Sequence, residues 1–321
     1  MPTITSSLEL VIEQLNQGEV AAIPTETVYG LAADATNETA IKKIFSIKNR
    51  PLNHPLIMHV CHDWDLSQWV NDVPEYAQNM IFKFWPGPLT LVFNSKKDVV
   101  SSLINGGQNS IAIRAPNHPL TEQVLRRLKR PLVAPSANPF GQISPTTAVH
   151  VAQSFPHERF LILDGGRCDV GIESTIIQAT HPDSYTVLRP GMIDLKVINE
   201  PLVKPCLFNV SSPRVSGHMD SHYKQKKKLY YIDDWRQIDQ FLQVLTGKVY
   251  TISLSKYTPA DKTLHHQLPN DEKMVAYQLY NELRHADQSQ ADVILIELPP
   301  IKWHAIREKI IKAGERLFCS F

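Results

Sequence analysis

The chain has 321 residues, with 33 lysines and arginines against 32 aspartates and glutamates, for a net charge of +1. That length predicts roughly two domains of about 150 residues, and the even charge gives no sign of a nucleic-acid coat or a membrane-surface protein. Prolines outnumber glycines, 23 to 13, whereas average usage is about 5% Pro against 7% Gly; this excludes a glycine-rich phosphate cradle and predicts stiff, shaped loops.

In chain order, residues 8–15 read as a short amphipathic helix with Ser6 or Ser7 as its N-cap, and residues 19–23 as a strand ending at Pro24. A helix follows over 38–47. Buried strands are predicted at 56–60, 89–93, 110–113, 132–134, 160–163 and 174–178, and helices at 74–84, 119–129 and 146–153. Ser144 with Pro145 fits an N-cap followed by proline at the first helical position. Nineteen of the 23 prolines lie in residues 1–213, and this shift in composition predicts a domain change. Near it, the Ser-, Lys- and His-rich stretch 210–228 has no helical or strand period and reads as a linker. Strands at 229–232, 249–254 and 293–298 then alternate with helices at 234–245, 271–286 and 301–313, the pattern of a small parallel three-layer domain.

No run of about 18 apolar residues is present to span a bilayer, and MPTITSSLELVIEQL lacks the basic and apolar regions of a signal peptide. The cysteines Cys61, Cys168, Cys206 and Cys319 stand far apart with no CxxC pair. A zinc ribbon is therefore not expected, and a reducing cytoplasm fits.

Six segments place chemistry-bearing residues at strand ends, where α/β sheets bind ligands. PTETVYGLAAD, 24–34, carries Thr25, Glu26, Thr27 and Tyr29; it reads as a ligand loop or as a capped turn with a packed tyrosine. Lys48 and Arg50 precede a proline; they can clamp phosphate or carboxylate, or cap a helix C-terminus. His54, His59 and His62 match no strong zinc spacing and read as surface histidines. In SIAIRAPNHP, 110–119, Arg114 is a substrate clamp or a surface charge. APSANPFGQISPTTA, 134–148, offers Ser136, Asn138 and Ser144 in a stiff loop. DGGRCDVGIESTII, 164–177, brings Ser174 and Thr175, and LRPG, 188–191, brings Arg189.

Taken together, the set resembles the Sua5/YrdC/YciO family, and within it the two-domain Sua5 type. The resemblance rests on PTETVYGLAAD, Lys48-Asn49-Arg50, PLIMHV, FWPGPLTLV, IAIRAPNHP, APSAN with SPTTA, GIESTII and LRPGMI, in family order over residues 20–193. RVSGHMDSHY, 214–223, is similar to the interdomain segment, while 229–321 matches by architecture. The family implies a YrdC-like twisted α/β domain, with a mixed sheet and a deep positive groove, over 1–205. A linker or lid over 206–228 and a Rossmann-like Sua5-type domain over 229–321 would follow.

The activity so implied is L-threonylcarbamoyladenylate synthesis. L-threonine, bicarbonate or CO2, and ATP with Mg²⁺ give threonylcarbamoyl-AMP and pyrophosphate, and a transferase complex then modifies adenosine 37 of tRNA to t6A in the cytoplasm. By motif, Thr27, His59, Arg114, Ser174 and the Ala134 backbone would hold threonine. Arg50, His54, Ser110, Ser136, Ser144, Arg189 and the linker residue Tyr223 would contact ATP. Lys48 and Arg50 would serve the phosphates as catalytic cations. No protein ligand for the metal is expected, since the ATP phosphates carry it.

Three departures stand out: His54 where the family often has Asn, Ala33 where it has Gly, and Lys224-Gln225-Lys226 after His222-Tyr223 in place of Ala-Pro. A double-stranded-RNA or ribosome-maturation module is the alternative, on the basis of the groove and KQKKK, 224–228; a nucleotide hydrolase using the same site is a third reading. A P-loop and a GxSxG elbow are both missing.

Overall fold

The computed structural model describes residues 1–194, 204–205, 213–215, 223–259 and 263–318. Cys206, His222, Cys319 and most of the expected linker lie outside the described residues. The chain forms two compact units, one of Met1–Phe140 with Ser144–His218, the other of Gly141–Ile143 with Met219–Phe321.

The first unit begins with β1 (Thr3–Thr5), α1 (Leu8–Asn16), β2 (Ala21–Ile23), β3 (Gly30–Asp34), α2 (Glu38–Lys48) and β4 (Ile57–His59). It continues through α3 (Glu75–Phe84), β5 (Leu89–Asn94), α4 (Ser102–Asn105), β6 (Ser110–Arg114), α5 (Pro119–Leu128) and β7 (Leu132–Val133). It closes with α6 (Ala148–Ser154), β8 (Leu161–Leu163), β9 (Thr175–Gln178), β10 (Ser184–Arg189) and β11 (Lys204–Pro205).

Local chemistry sets the helix ends. Ser7 caps α1 by accepting from the Leu10 N–H, and buried Leu8, Val11 and Leu15 recur at helical spacing. Asn37 caps α2, which ends on Asn49 in the left-handed region at φ 50°. One expectation fails: Ser144 does not cap α6. Thr147 does, accepting from the His150 N–H, while the enclosed Ser144 hydroxyl donates to Glu173 Oε1 at 2.6 Å. A bond to a carboxylate is stronger than one to a neutral backbone group.

Among the described residues the sheet runs β1-β8-β2-β3-β7-β4-β6-β5-β9-β10-β11. It is mixed: β1, β8 and β2 run parallel, as do β4 with β6 and β5 with β9, while the β2–β3, β3–β7, β4–β7, β5–β6 and β9–β10 pairs are antiparallel. The main core joins Leu31, Ile41, Ile44, Met58, Leu91, Ile113 and Ile177. A smaller cluster joins Ile57, Val92, Ala112, Ile176 and Leu188 with Val215. Ile57, Val92, Ala112 and Ile176 alternate along their strands with Met58, Leu91, Ile113 and Ile177 of the main core, so they belong to the other face of the sheet.

The second unit contains β12 (Lys228–Ile232), α7 (Ile238–Val244), β13 (Val249–Ser253), β14 (Thr263–Gln267), α8 (Glu272–Gln288), β15 (Val293–Glu297), α9 (His304–Ala313) and β16 (Glu315–Arg316). Its strands order as β14-β13-β15-β12-β16, all parallel. The expected three-strand repeat is present, with β14 and β16 added at the edges. Among the described residues no helix is long and apolar enough to cross a membrane.

Candidate functional site

The strand ends of the first unit gather enclosed polar side chains. Arg114 closes β6 and is 4% exposed, so of the two readings the surface charge is excluded. Its Nη2 lies 2.7 Å from Glu26 Oε2, and its Nε donates to the Gly87 carbonyl at 3.3 Å. In the parallel β4–β6 pair its register partner is His59, which is 2% exposed and not a surface histidine. Burial first, then the Arg114 charge, push His59 down to about 3, so the ring is neutral. Its Nδ1 stands 3.2 Å from the Ile57 carbonyl. A nitrogen facing a carbonyl must carry the proton, which leaves Nε2 as an acceptor.

The loop after β2 is held from within. Thr25 Oγ1 donates to the Val28 carbonyl at 2.7 Å and sits 2.9 Å from Thr27 Oγ1. Tyr29 is the packed tyrosine of the second reading, its hydroxyl donating to the Gly166 carbonyl at 2.8 Å. Ala134 lies beside Gly30, where an added Cβ would come within 2.9 Å of the Ala134 Cβ. Glycine is therefore needed there for the backbones to approach.

Ser174 precedes β9 and joins two segments. Its Oγ is 2.7 Å from Thr90 Oγ1 and accepts from Arg189 Nη2 at 3.0 Å, while its carbonyl accepts from Arg189 Nε. Arg189, at the end of β10, is 4% exposed. Glu173, next in the chain, takes the Ser144 hydroxyl. Gly191 passes so close that a Cβ would stand 2.4 Å from the Thr175 nitrogen. Glu26, Arg114, Ser174, Arg189, Glu173 and Ser144 thus form one neighbourhood, bridged where the Thr175 N–H meets the Pro88 carbonyl, next to Gly87.

A second group lies at the end of α2. Lys48 is 1% exposed, and its ammonium donates to the Ser136 and Asn138 carbonyls. Burial, then the Arg50 charge, lower its affinity for a proton. Arg50 donates to the Pro55 carbonyl at 2.8 Å and lies 5.4 Å from the Phe140 ring centroid, against which His54 packs edge-on. Burial brings Arg50 down to about 10, still cationic at neutral pH. Desolvation, Arg50 and Arg214 all lower His54. Arg214 donates to the Gly106 carbonyl at 2.9 Å and exchanges bonds with Gln108. The sequence reading did not single out Arg214, which lies inside the RVSGHMDSHY match. Ser110 opens β6, about 13 Å from Arg114 at ~3.3 Å per strand residue.

The structure therefore brings Thr27, His59, Arg114, Ser174, Ser144 and Arg189 into one group, and Lys48, Arg50, His54 and the Ser136 backbone into another. Tyr223 stands in the second unit, buried, stacked on Tyr280 at 5.5 Å and 5.7 Å from Lys309 Nζ. Among the described residues no group of three His, Cys, Asp or Glu side chains is placed to hold a metal.

Comparison with known proteins agrees across both units. The family model described as "Telomere recombination", covering Sua5, YciO and YrdC, matches residues 13–191, and "Threonylcarbamoyl-AMP synthase, C-terminal domain" matches 187–314. A threonylcarbamoyl-AMP synthase of Pyrococcus abyssi is 36% identical over 88% of this chain and 86% of its own length. One of Bacillus subtilis is 34% identical over 89% and 86%. The crystal structure of P. abyssi Sua5 with L-threonine superposes with a TM-score of 0.85 at 30% identity, covering 98% of each chain.

Proposed function

Because the chain belongs to the Sua5/YrdC/YciO family, we propose that it condenses L-threonine, bicarbonate or CO2, and ATP into threonylcarbamoyl-AMP and pyrophosphate. The observation that carries this reading is the likeness to threonylcarbamoyl-AMP synthases across most of both chains, both units included. The enclosed polar group around Arg114 and Ser174 supports it.

The threonine amine attacks CO2, forming an N–C bond and losing one proton to give a carbamate. A carbamate oxygen then attacks the α-phosphorus of ATP, and the bond to pyrophosphate breaks. Negative charge concentrates as two anions meet, so fixed cations at stiff strand ends lower the barrier without a protein nucleophile. Arg114 takes the threonine carboxylate. His59 Nε2 and the Thr27 and Ser174 hydroxyls surround the side chain, with the Ala134 backbone lining the pocket. Because a polar pocket is left unpaired by an analogue lacking the threonine hydroxyl, it discriminates against that analogue. Arg50 and Arg189 face the phosphates, and His54, Ser110, Ser136 and Ser144 complete the ATP contacts. Lys48 acts from behind the 136–138 loop, whose carbonyls it holds.

Mg²⁺ would be held by the ATP phosphates rather than by protein side chains and would supply charge neutralisation there; the acids Glu26 and Glu173 are engaged with Arg114 and Ser144. The 206–228 segment serves as linker and lid, with Tyr223 closing on ATP. A tRNA threonylcarbamoyl transferase complex in the cytoplasm takes the product on to t6A. Direct RNA binding draws less support: in the 224–228 run, Lys227 Nζ is spent on the Ala286 and Ser289 carbonyls and Lys228 pairs with Glu315.

The test is incubation with ATP, Mg²⁺, bicarbonate and labelled threonine. Pyrophosphate release that requires both threonine and bicarbonate is the expected result. Turnover without threonine would favour a hydrolase and overturn the reading.

A further inference from the structure

Glu26 is an enclosed carboxylate that no step above uses. It is 4% exposed, both of its oxygens are shut off from solvent, and neither has a hydrogen-bond partner among the described residues. Its one close cation is Arg114, at 2.7 Å. A buried ion pair is a poor device for stability, because removing both charges from water costs about as much as their attraction returns. Its position beside the threonine pocket gives it a different consequence.

Arg114 donates from Nε to the Gly87 carbonyl, and its Nη2 lies 2.7 Å from Glu26 Oε2 as an ion pair without hydrogen-bond alignment. Its Nη1 has no bond among the described residues and is the edge left for a ligand carboxylate. Around the pair, His59 is neutral, burial lowers His118 although Glu26 and Asp169 raise it, and the Cys168 thiol, which burial and then Glu26 push up to about 12, stays protonated. Locally, then, Arg114 and Glu26 sum to zero. A ligand that brings a carboxylate to Arg114 also brings it near a buried negative charge that water screens weakly. An α-ammonium on the same ligand offsets that repulsion; an α-hydroxyl does not.

We infer that Glu26 is a charge-selectivity residue for the amino-acid pocket, making it favour a zwitterionic α-amino acid over the anionic α-hydroxy acid of the same shape. Glu26 acts through Arg114 and through space, and touches no substrate. The inference rests on the reading of Arg114 as the carboxylate site.

The test compares calorimetric affinities for L-threonine and for 2,3-dihydroxybutanoate, threonine with its ammonium replaced by hydroxyl. The full-length chain is expected to prefer threonine. In Glu26→Gln, which keeps the shape, that preference falls about tenfold, the size of one weakly screened charge at short range. Glu26→Asp keeps the charge and keeps the preference. A purely structural role would weaken both ligands together and leave their ratio unmoved, which would overturn the inference. Equal binding of the two probes by the unaltered chain overturns it without any variant. If the unaltered chain binds threonine and only the ratio fails to shift, Arg114 stands and Glu26 falls; no threonine binding at all removes the pocket and the inference with it.

Discussion

In the first unit the enclosed cations Lys48, Arg50, Arg114 and Arg189 all donate to backbone carbonyls, of Ser136 and Asn138, Pro55, Gly87 and Ser174 respectively. In the second unit the enclosed Lys309 meets the Glu308 carboxylate, and the enclosed Glu282 accepts the Tyr250 hydroxyl at 2.5 Å with His266 Nδ1 3.5 Å away. A carbonyl satisfies an N–H donor without cancelling its charge, whereas a carboxylate cancels it. In the first unit, carbonyls thus hold donors in place at the ends of β6 and β10 and just at or after the end of α2. Arg114 is also paired with an acid, Glu26, and that pair stands at the proposed amino-acid end of the site.

That contrast can be broken at several points. The largest effect is expected from Arg114→Ala, which should cut threonine-dependent pyrophosphate release at least ~100-fold, about 2.7 kcal/mol of transition-state stabilisation, while circular dichroism shows the fold retained. Near-normal synthesis would remove Arg114 from the site. Lys48→Met comes next. It strips two loop carbonyls of their donor, at ~1–3 kcal/mol each, so a lower melting temperature and a raised KM for ATP should appear together. An unchanged melting temperature would mean that the loop does not depend on Lys48.

A further test uses pH. His59 is held at about 3 in the fold against 6.5 as its ordinary value. Between those values the unfolded chain binds the extra proton, so stability rises with pH across that window and is flat above it. His59 should contribute a slope approaching 1.4 kcal/mol per pH unit as the pH falls below 6.5. Melting curves of His59→Gln between pH 4 and 7 should lose that share of the slope. An unchanged slope would place the proton elsewhere.

Much of the fold was legible because long apolar runs bounded by prolines and turns announce buried strands. Strands such as β5 and β15 appear within a residue or two of the expected bounds. β3 escaped because Gly30-Leu31-Ala32-Ala33 lacks the branched side chains that signal a strand, even though every residue from Gly30 to Asp34 is buried. β14 escaped because two histidines interrupt its alternation. The cations themselves were visible at strand ends. Their partners were not, since Glu26 and Arg114 are 88 residues apart, and no local period reports which carbonyl a lysine will meet. His59 shows the limit most clearly: its type suggested the surface, and only the register with Arg114 reveals that it is enclosed.

The order β1-β8-β2 has a consequence for how the chain is made. Thr3 pairs with Leu161, and Ala21 with the same residue. At ~5–20 residues per second of synthesis, the 158 residues separating Thr3 from Leu161 take about 8–30 s to emerge. Through that interval β1 has no strand to join and β2 presents an open edge beyond β3, the kind of edge that recruits foreign strands. The ribosome's pace, rather than any barrier in the finished fold, sets the earliest moment at which this side of the sheet can close.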